Sequence, residues 1–119
     1  MLEGKLKYAT QNLFLIDKEE HIIGDYLYDK NKELIGKIEG LVVELPKHNI
    51  KFLSITQGGF LNIQGKKILV PRQACEIKDI GKVITSFSKH TIQDAPSPHD
   101  LFNLTKSEEL LIMDYFGFQ

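Results

Sequence analysis

Cysteine occurs once, at Cys75, so no internal disulfide can form and no cysteine-based zinc site can assemble. A lone thiol of this kind reads as a small, buried, reduced group in a cytoplasmic protein. Long apolar runs are also missing. LFLI at 13–16 and ILV at 68–70 are far short of the roughly 20 residues a spanning helix needs. The opening MLEGKLKYATQNLFLID holds no sustained apolar stretch ahead of a cleavage site, so neither secretion nor membrane insertion is expected. Arginine is confined to Arg72 and tryptophan is absent.

What is present fits one globular domain with a single core: 119 residues, 42% hydrophobic and 26% charged. The net charge of −1 hides an asymmetry. Residues 1–90 carry 14 Lys/Arg against 11 Asp/Glu, while residues 91–119 carry 1 against 5. The acidic end can meet the mildly basic body, in the same chain or a second copy, or both can remain solvated.

Between residues 22 and 87 the sequence is a series of short apolar segments broken by turn residues. IIGDYLY runs into the polar turn Asp29-Lys30-Asn31-Lys32, and ELIGKIEGLVVEL into Pro46-Lys47-His48-Asn49. IKFLSITQ, KKILVP, ACEI and KVITSF follow. Strand-length runs rich in Ile, Val, Phe and Tyr, repeating every 8–12 residues or so, predict a small antiparallel β domain. In the second segment Leu34, Ile38 and Val42 share one parity and are expected to face inward. Gly36 and Gly40 lie on that same parity, where a missing side chain serves a sharp bend or a close backbone approach.

After Phe87 the pattern changes. IQDAPSPHD reads as a surface strap, and Thr105-Lys106-Ser107-Glu108 has the spacing of a capping box. A helix is expected from there to about Phe116, stopping at Gly117. Six of its last seven residues are apolar, which calls for a cover, either the chain's own body or another chain. The expected organisation is an N-terminal extension at 1–20, a β domain at 21–90, a proline-containing strap at 91–104, and a helix with an aromatic tail at 105–119.

GGFLNIQGKKILVP poses the question of phosphate binding. A P-loop needs four residues between its glycines, a hydroxyl after the lysine and a helix next. Here five residues separate Gly59 from Gly65, Lys67 takes the hydroxyl's place, and ILVP reads as a strand, so a hairpin is expected. His21, His48, His90 and His99 show no helical metal-ligand spacing. Ser97, His99 and Asp100 hold the three triad residue types, yet four consecutive positions in a strap cannot supply a triad's spatial geometry, and Asp100 reads as a local cap. Glu19-Glu20 and Glu108-Glu109 are solvated neighbours, and the glycosylation sequon at Asn103 is better explained by the cap at Thr105. No catalytic residue, metal ligand or cofactor site is assigned.

Nucleic acid has more to recommend it. Lys30, Lys32, Lys37, Lys47, Lys51, Lys66, Lys67 and Arg72 make the β region basic, and small barrels bind RNA. Against this stand the single arginine, a pI near 6.4 and no clustered aromatics.

Ile23-Gly24, YDKNKELIGKIEGLVVE, IKFLSITQGGFL, Lys66 and LVP ending at Pro71 resemble, in that order, the PRC-barrel family, named for the cytoplasmic domain of the photosynthetic reaction-centre H subunit. The resemblance covers residues 22–98, and SEELLIMDYFG is similar to the trailing segment of stand-alone bacterial members. It implies a mainly β fold: a strongly bent antiparallel barrel of five or six strands with a short C-terminal helix. Gly24, Gly36, Gly40, Gly58, Gly59 and Pro71 would be its structural positions. It also implies an interaction module. The reaction-centre domain supports electron and proton transfer to quinone without a cofactor of its own, the related domain of the ribosome-maturation factor helps bind a ribosomal protein, and other members are stress-related. With no transmembrane helix and no second barrel read ahead of this one, the chain is expected to be neither of those two. Arg72 stands where stand-alone members often carry tryptophan.

The expected function is therefore a cytoplasmic, non-enzymatic protein–protein adaptor that self-associates as a homodimer. The alternative is an RNA- or ribosome-associated factor. Leu110, Met113, Tyr115, Phe116 and Phe118 are the candidate anchors, unless they pack on their own barrel. Phe60 and Leu61, at a hairpin tip, form a second candidate patch.

Overall fold

Short runs of β-branched and aromatic residues set the strands of the computed structural model, which describes residues 5–57 and 65–118. Seven strands are found among these residues: β1 (Lys5–Ala9), β2 (Tyr26–Tyr28), β3 (Leu34–Leu45), β4 (Asn49–Gln57), β5 (Lys66–Pro71), β6 (Cys75–Asp79) and β7 (Lys82–Thr85). Two helices follow, α1 (Lys89–Gln93) and α2 (Lys106–Tyr115), and 3₁₀ turns occupy Lys18–Glu20, Arg72–Ala74 and Leu101–Asn103. No helix of the described residues is long and apolar enough to cross a membrane.

The strand order is β5-β4-β3-β2-β7-β6. The long β3 organises it. One edge pairs with β4; the other is shared, with β2 on its first residues and β1 from Leu41 to Leu45. Where β1 and β2 part, the turn at Gly24 and Asp25 fills the edge, exchanging hydrogen bonds of 2.8 Å with both backbone groups of Ile38. Leu27, Ile38, Phe52, Leu53, Ile55, Ile68, Leu69 and Val83 form the fully buried centre of the core.

This sheet differs from the expected barrel in three respects. It has seven strands, because the Lys-Leu-Lys-Tyr alternation of the N-terminal segment makes β1 a further strand on β3. The β2–β7 pairing is parallel. Among the described residues no ladder joins β5 to β6, so the sheet is not closed by hydrogen bonds. The 3₁₀ turn at Arg72–Ala74 lies between those two edge strands. There the Arg72 guanidinium forks onto Glu20 at 2.8 and 2.7 Å and donates to the Cys75 carbonyl at 2.8 Å, tying the N-terminal segment to the open corner.

Leu34 also departs from expectation. Tyr28 pairs with Leu34 but Leu27 with Gly36, so β3 carries an extra residue at this point. Such a bulge shifts the side-chain alternation. Ile35 turns inward, and Leu34 is left 48% exposed.

Gly40 carries a close contact. The Tyr8 ring lies across it to reach Ser54 on β4, with a 2.7 Å hydroxyl hydrogen bond, and a Cβ at residue 40 would sit 2.5 Å from the phenol oxygen. Phe102 then packs edge-on against Tyr8, ring centroids 5.0 Å apart. At Gly36 a Cβ would come 3.3 Å from the Thr56 carbonyl oxygen, and Gly24 adopts φ +97°, a region that disfavours side chains. Pro71 is buried at the end of β5, opposite Phe52. Gly58, Gly59, Phe60 and Leu61 lie outside the described residues.

Candidate partner-binding surface

The helix α2 begins with a reciprocal cap. Thr105 Oγ1 accepts from the Glu108 amide at 3.1 Å, and Glu108 Oε1 accepts from the Thr105 amide at 3.2 Å. It ends at Gly117, φ +82°, where the Phe118 amide reaches back to the Met113 carbonyl at 2.8 Å. Glu109, Ile112, Met113 and Phe116 recur at helical spacing and form the inner face. Ile112 and Phe116 are buried, each such burial contributing about 1.5–3 kcal/mol. Phe116 and Phe118 both pack on Phe87, at centroid distances of 4.9 and 6.3 Å. Buried Glu109 is compensated by Lys51 at 2.5 Å and Lys106 at 3.3 Å.

The apolar run therefore divides between two faces. Met113, Phe116 and Phe118 pack against the chain's own core. Leu110 and Leu111 remain 55% and 58% exposed, with Tyr115 beside them. The Tyr115 hydroxyl donates to the Thr91 carbonyl at 2.6 Å, anchoring the helix to α1. Leu111 is the member of this row that sequence reasoning left out of the anchor set; its position one residue from Leu110 and four from Tyr115 was the available signal.

The other chemical candidates are engaged locally. The strand β5 starts at Lys66, so the two lysines open a strand and not a helix. Lys67 Nζ contacts Glu39 at 3.1 Å and Thr56 at 2.8 Å, and Lys66 Nζ donates to the Gln93 carbonyl at 2.9 Å. His21 Nε2 donates toward the carbonyls of Ile16 and Leu13, at 2.8 and 3.0 Å. Ser97 donates to the Lys67 carbonyl at 2.8 Å, while Asp100 caps the turn at Leu101–Asn103 by accepting from the Phe102 amide at 2.9 Å. Burial pushes the Cys75 thiol up to about 12, against the opposing pull of Arg72, so it stays protonated and poorly nucleophilic near neutral pH. Among the described residues no three His, Cys, Asp or Glu side chains converge as a metal site.

A second exposed surface was not foreseen. Leu27 and Val83 point into the core, which places Tyr26, Tyr28, Lys82 and Ile84 on the outer face of the β2–β7 pair. Tyr26 is 44% exposed and Leu34 lies beside Tyr28. Tyr28, Ile84, Lys32, Lys78 and Lys82 line a concavity of about 490 Å³. The alternation in YLY and KVIT was readable, but the parallel pairing that brings them together joins residues more than fifty positions apart.

Residues 20–89 match the model of the PRC-barrel domain. No curated protein matches the chain. The matched residues take in β2 to β7, including the bulged β3 and the corner occupied by Arg72, and make up more than half of the sequence. On this match, with the bent β sheet that accompanies it, the chain belongs to the PRC-barrel family.

Proposed function

We propose that this protein is a non-enzymatic interaction module that self-associates through the outer face of α2. The observation that carries the reading is the division of that helix: its inner face is fixed in the core, yet Leu110, Leu111 and Tyr115 are left in water on one side. Two exposed leucines beside a tyrosine make an apolar patch on one helix face, with Tyr115 as the residue type most often found to anchor interfaces. A second copy is the favoured occupant because the chain supplies both charges, a basic body and an acidic end. The family's non-catalytic character agrees with the polar groups found here, which hold one another rather than converge on a reacting atom.

Light scattering on the full chain and on a Leu110→Ser/Leu111→Ser variant tests the reading. Both positions are exposed, so the variant keeps its fold while losing the contact. The wild-type chain is expected to exceed the 13.6 kDa of one chain and the variant to fall to it. Equal masses for the two would overturn the reading. Deleting α2 is a poorer test, since it also removes Ile112 and Phe116 from the core.

A further inference from the structure

We infer that the outer face of the β2–β7–β6 sheet is the surface that receives α2 of a second copy; this rests on the self-association reading above and names the receiving site. The two faces complement each other in kind. The sheet offers an aliphatic and aromatic floor, Tyr26, Leu34 and Ile84, flanked by Lys32 and Lys82. The helix offers Leu110, Leu111 and Tyr115 with the exposed Asp114 on the same outer face, and Asp94, which His90 approaches to 3.3 Å, lies near Tyr115. Apolar side chains would meet apolar side chains, and lysines would meet carboxylates.

The sheet face keeps a small surplus of lysine. Glu76 and Lys78 pair at 3.0 Å, Asp79 stands against both Lys82 and Lys32, and the Lys82 ammonium lies 5.9 Å from the centre of the Tyr28 ring. Both surfaces are exposed in one chain, so neither covers the other, and the contact is between chains. A nucleic acid fits less well. The one arginine is occupied by Glu20, so no free guanidinium is available to grip phosphate, and beside the aromatic Tyr26 and Tyr28 the floor carries the aliphatic Leu34 and Ile84, on which bases do not stack.

A contact between two unlike patches makes a prediction that like-with-like helix packing does not. Two full-length variants are needed, Leu110→Ser/Leu111→Ser with its sheet face intact and Lys32→Glu/Lys82→Glu with its helix intact. Each alone should have the mass of one chain. An equimolar mixture should regain a species of two chains, because one intact helix meets one intact sheet face. Circular dichroism confirms folding, and Lys32→Gln/Lys82→Gln replaces the charge reversal if that unfolds. A wild-type dimer whose lysine variant still associates, or whose mixture stays monomeric, overturns the receiving site and leaves the α2 reading standing. A wild-type chain that is monomeric at every concentration removes both. A fluorescent single-stranded oligonucleotide forms the last arm: binding at low salt that the lysine variant abolishes, with mass unchanged, would give the face to nucleic acid and overturn the proposal.

Discussion

Gly40 illustrates how a single residue type can be dictated by a distant one. The Tyr8 ring occupies the space a side chain would take, and it is held there by Ser54 on one side and Phe102 on another. A Gly40→Ala substitution must displace a ring fixed at both ends, and overpacking of this kind costs about 1–3 kcal/mol. Urea unfolding should show that loss, and Gly40→Ala combined with Tyr8→Ala should cost less than the sum of the two single changes. Strict additivity would contradict this. Asp29 is a second such residue. Burial alone would raise its carboxyl, but the amides of Glu33, Lys89 and Asn31, with the Lys89 charge, outweigh this and hold it below the ordinary carboxylate value. A depressed folded-state pKa stabilises the fold above the unfolded value, about 3.9, and the contribution disappears as pH falls through the folded one. Wild-type stability should therefore fall more steeply than that of Asp29→Asn between about pH 5 and pH 2; parallel curves would refute the role given to the carboxylate. At this scale the bare positions of β3 are legible in the sequence as places for a bend or close approach. That Tyr8 is the approaching group is not, since the contact is made only once β1 has paired with β3. Leu34 is misread for a similar reason, because a bulge is a property of two strands and a parity rule sees one.

The elements divide by how local their causes are. The helix α2 is legible at both ends, because a capping box and a terminal glycine act within a few residues. Its facing is not, because an almost wholly apolar run has no wet side to mark. What orients the helix is the packing of Ile112 and Phe116 on the core together with Glu109, whose partner Lys51 lies on β4, far away in sequence. Removing that lysine leaves a buried carboxylate with only Lys106, so Lys51→Ala is expected to destabilise the fold by up to the roughly 3–5 kcal/mol that breaking a buried pair costs. Lys51→Ala/Glu109→Met should recover most of the loss, since replacing both partners with apolar groups removes the uncompensated charge. Chemical denaturation of the three proteins decides it: a neutral Lys51→Ala would show that the ion pair does not hold the helix down. Strand β1 stayed hidden in the N-terminal extension because five residues carry little pattern alone and gain meaning only from the edge of β3 that receives them.

For the whole molecule, the β class and the position of most strands along the chain could be read from apolar segments and turn residues, and the family from the ordered motifs around Gly24, Gly36 and Pro71. The parallel β2–β7 ladder and the open corner at Arg72 could not, because both depend on how the chain returns across itself. The same non-local geometry produces the two exposed surfaces on which the functional account rests, one helical and acidic, the other a lysine-flanked sheet face. Their complementarity implies a contact that weakens with salt, since its charged rim is solvent-exposed. Sedimentation of the wild-type chain over a concentration series probes self-association itself. The mass is expected to move from 13.6 kDa at low concentration toward about twice that value as concentration rises. A mass fixed at that of one chain across the whole series, at low salt, would contradict it.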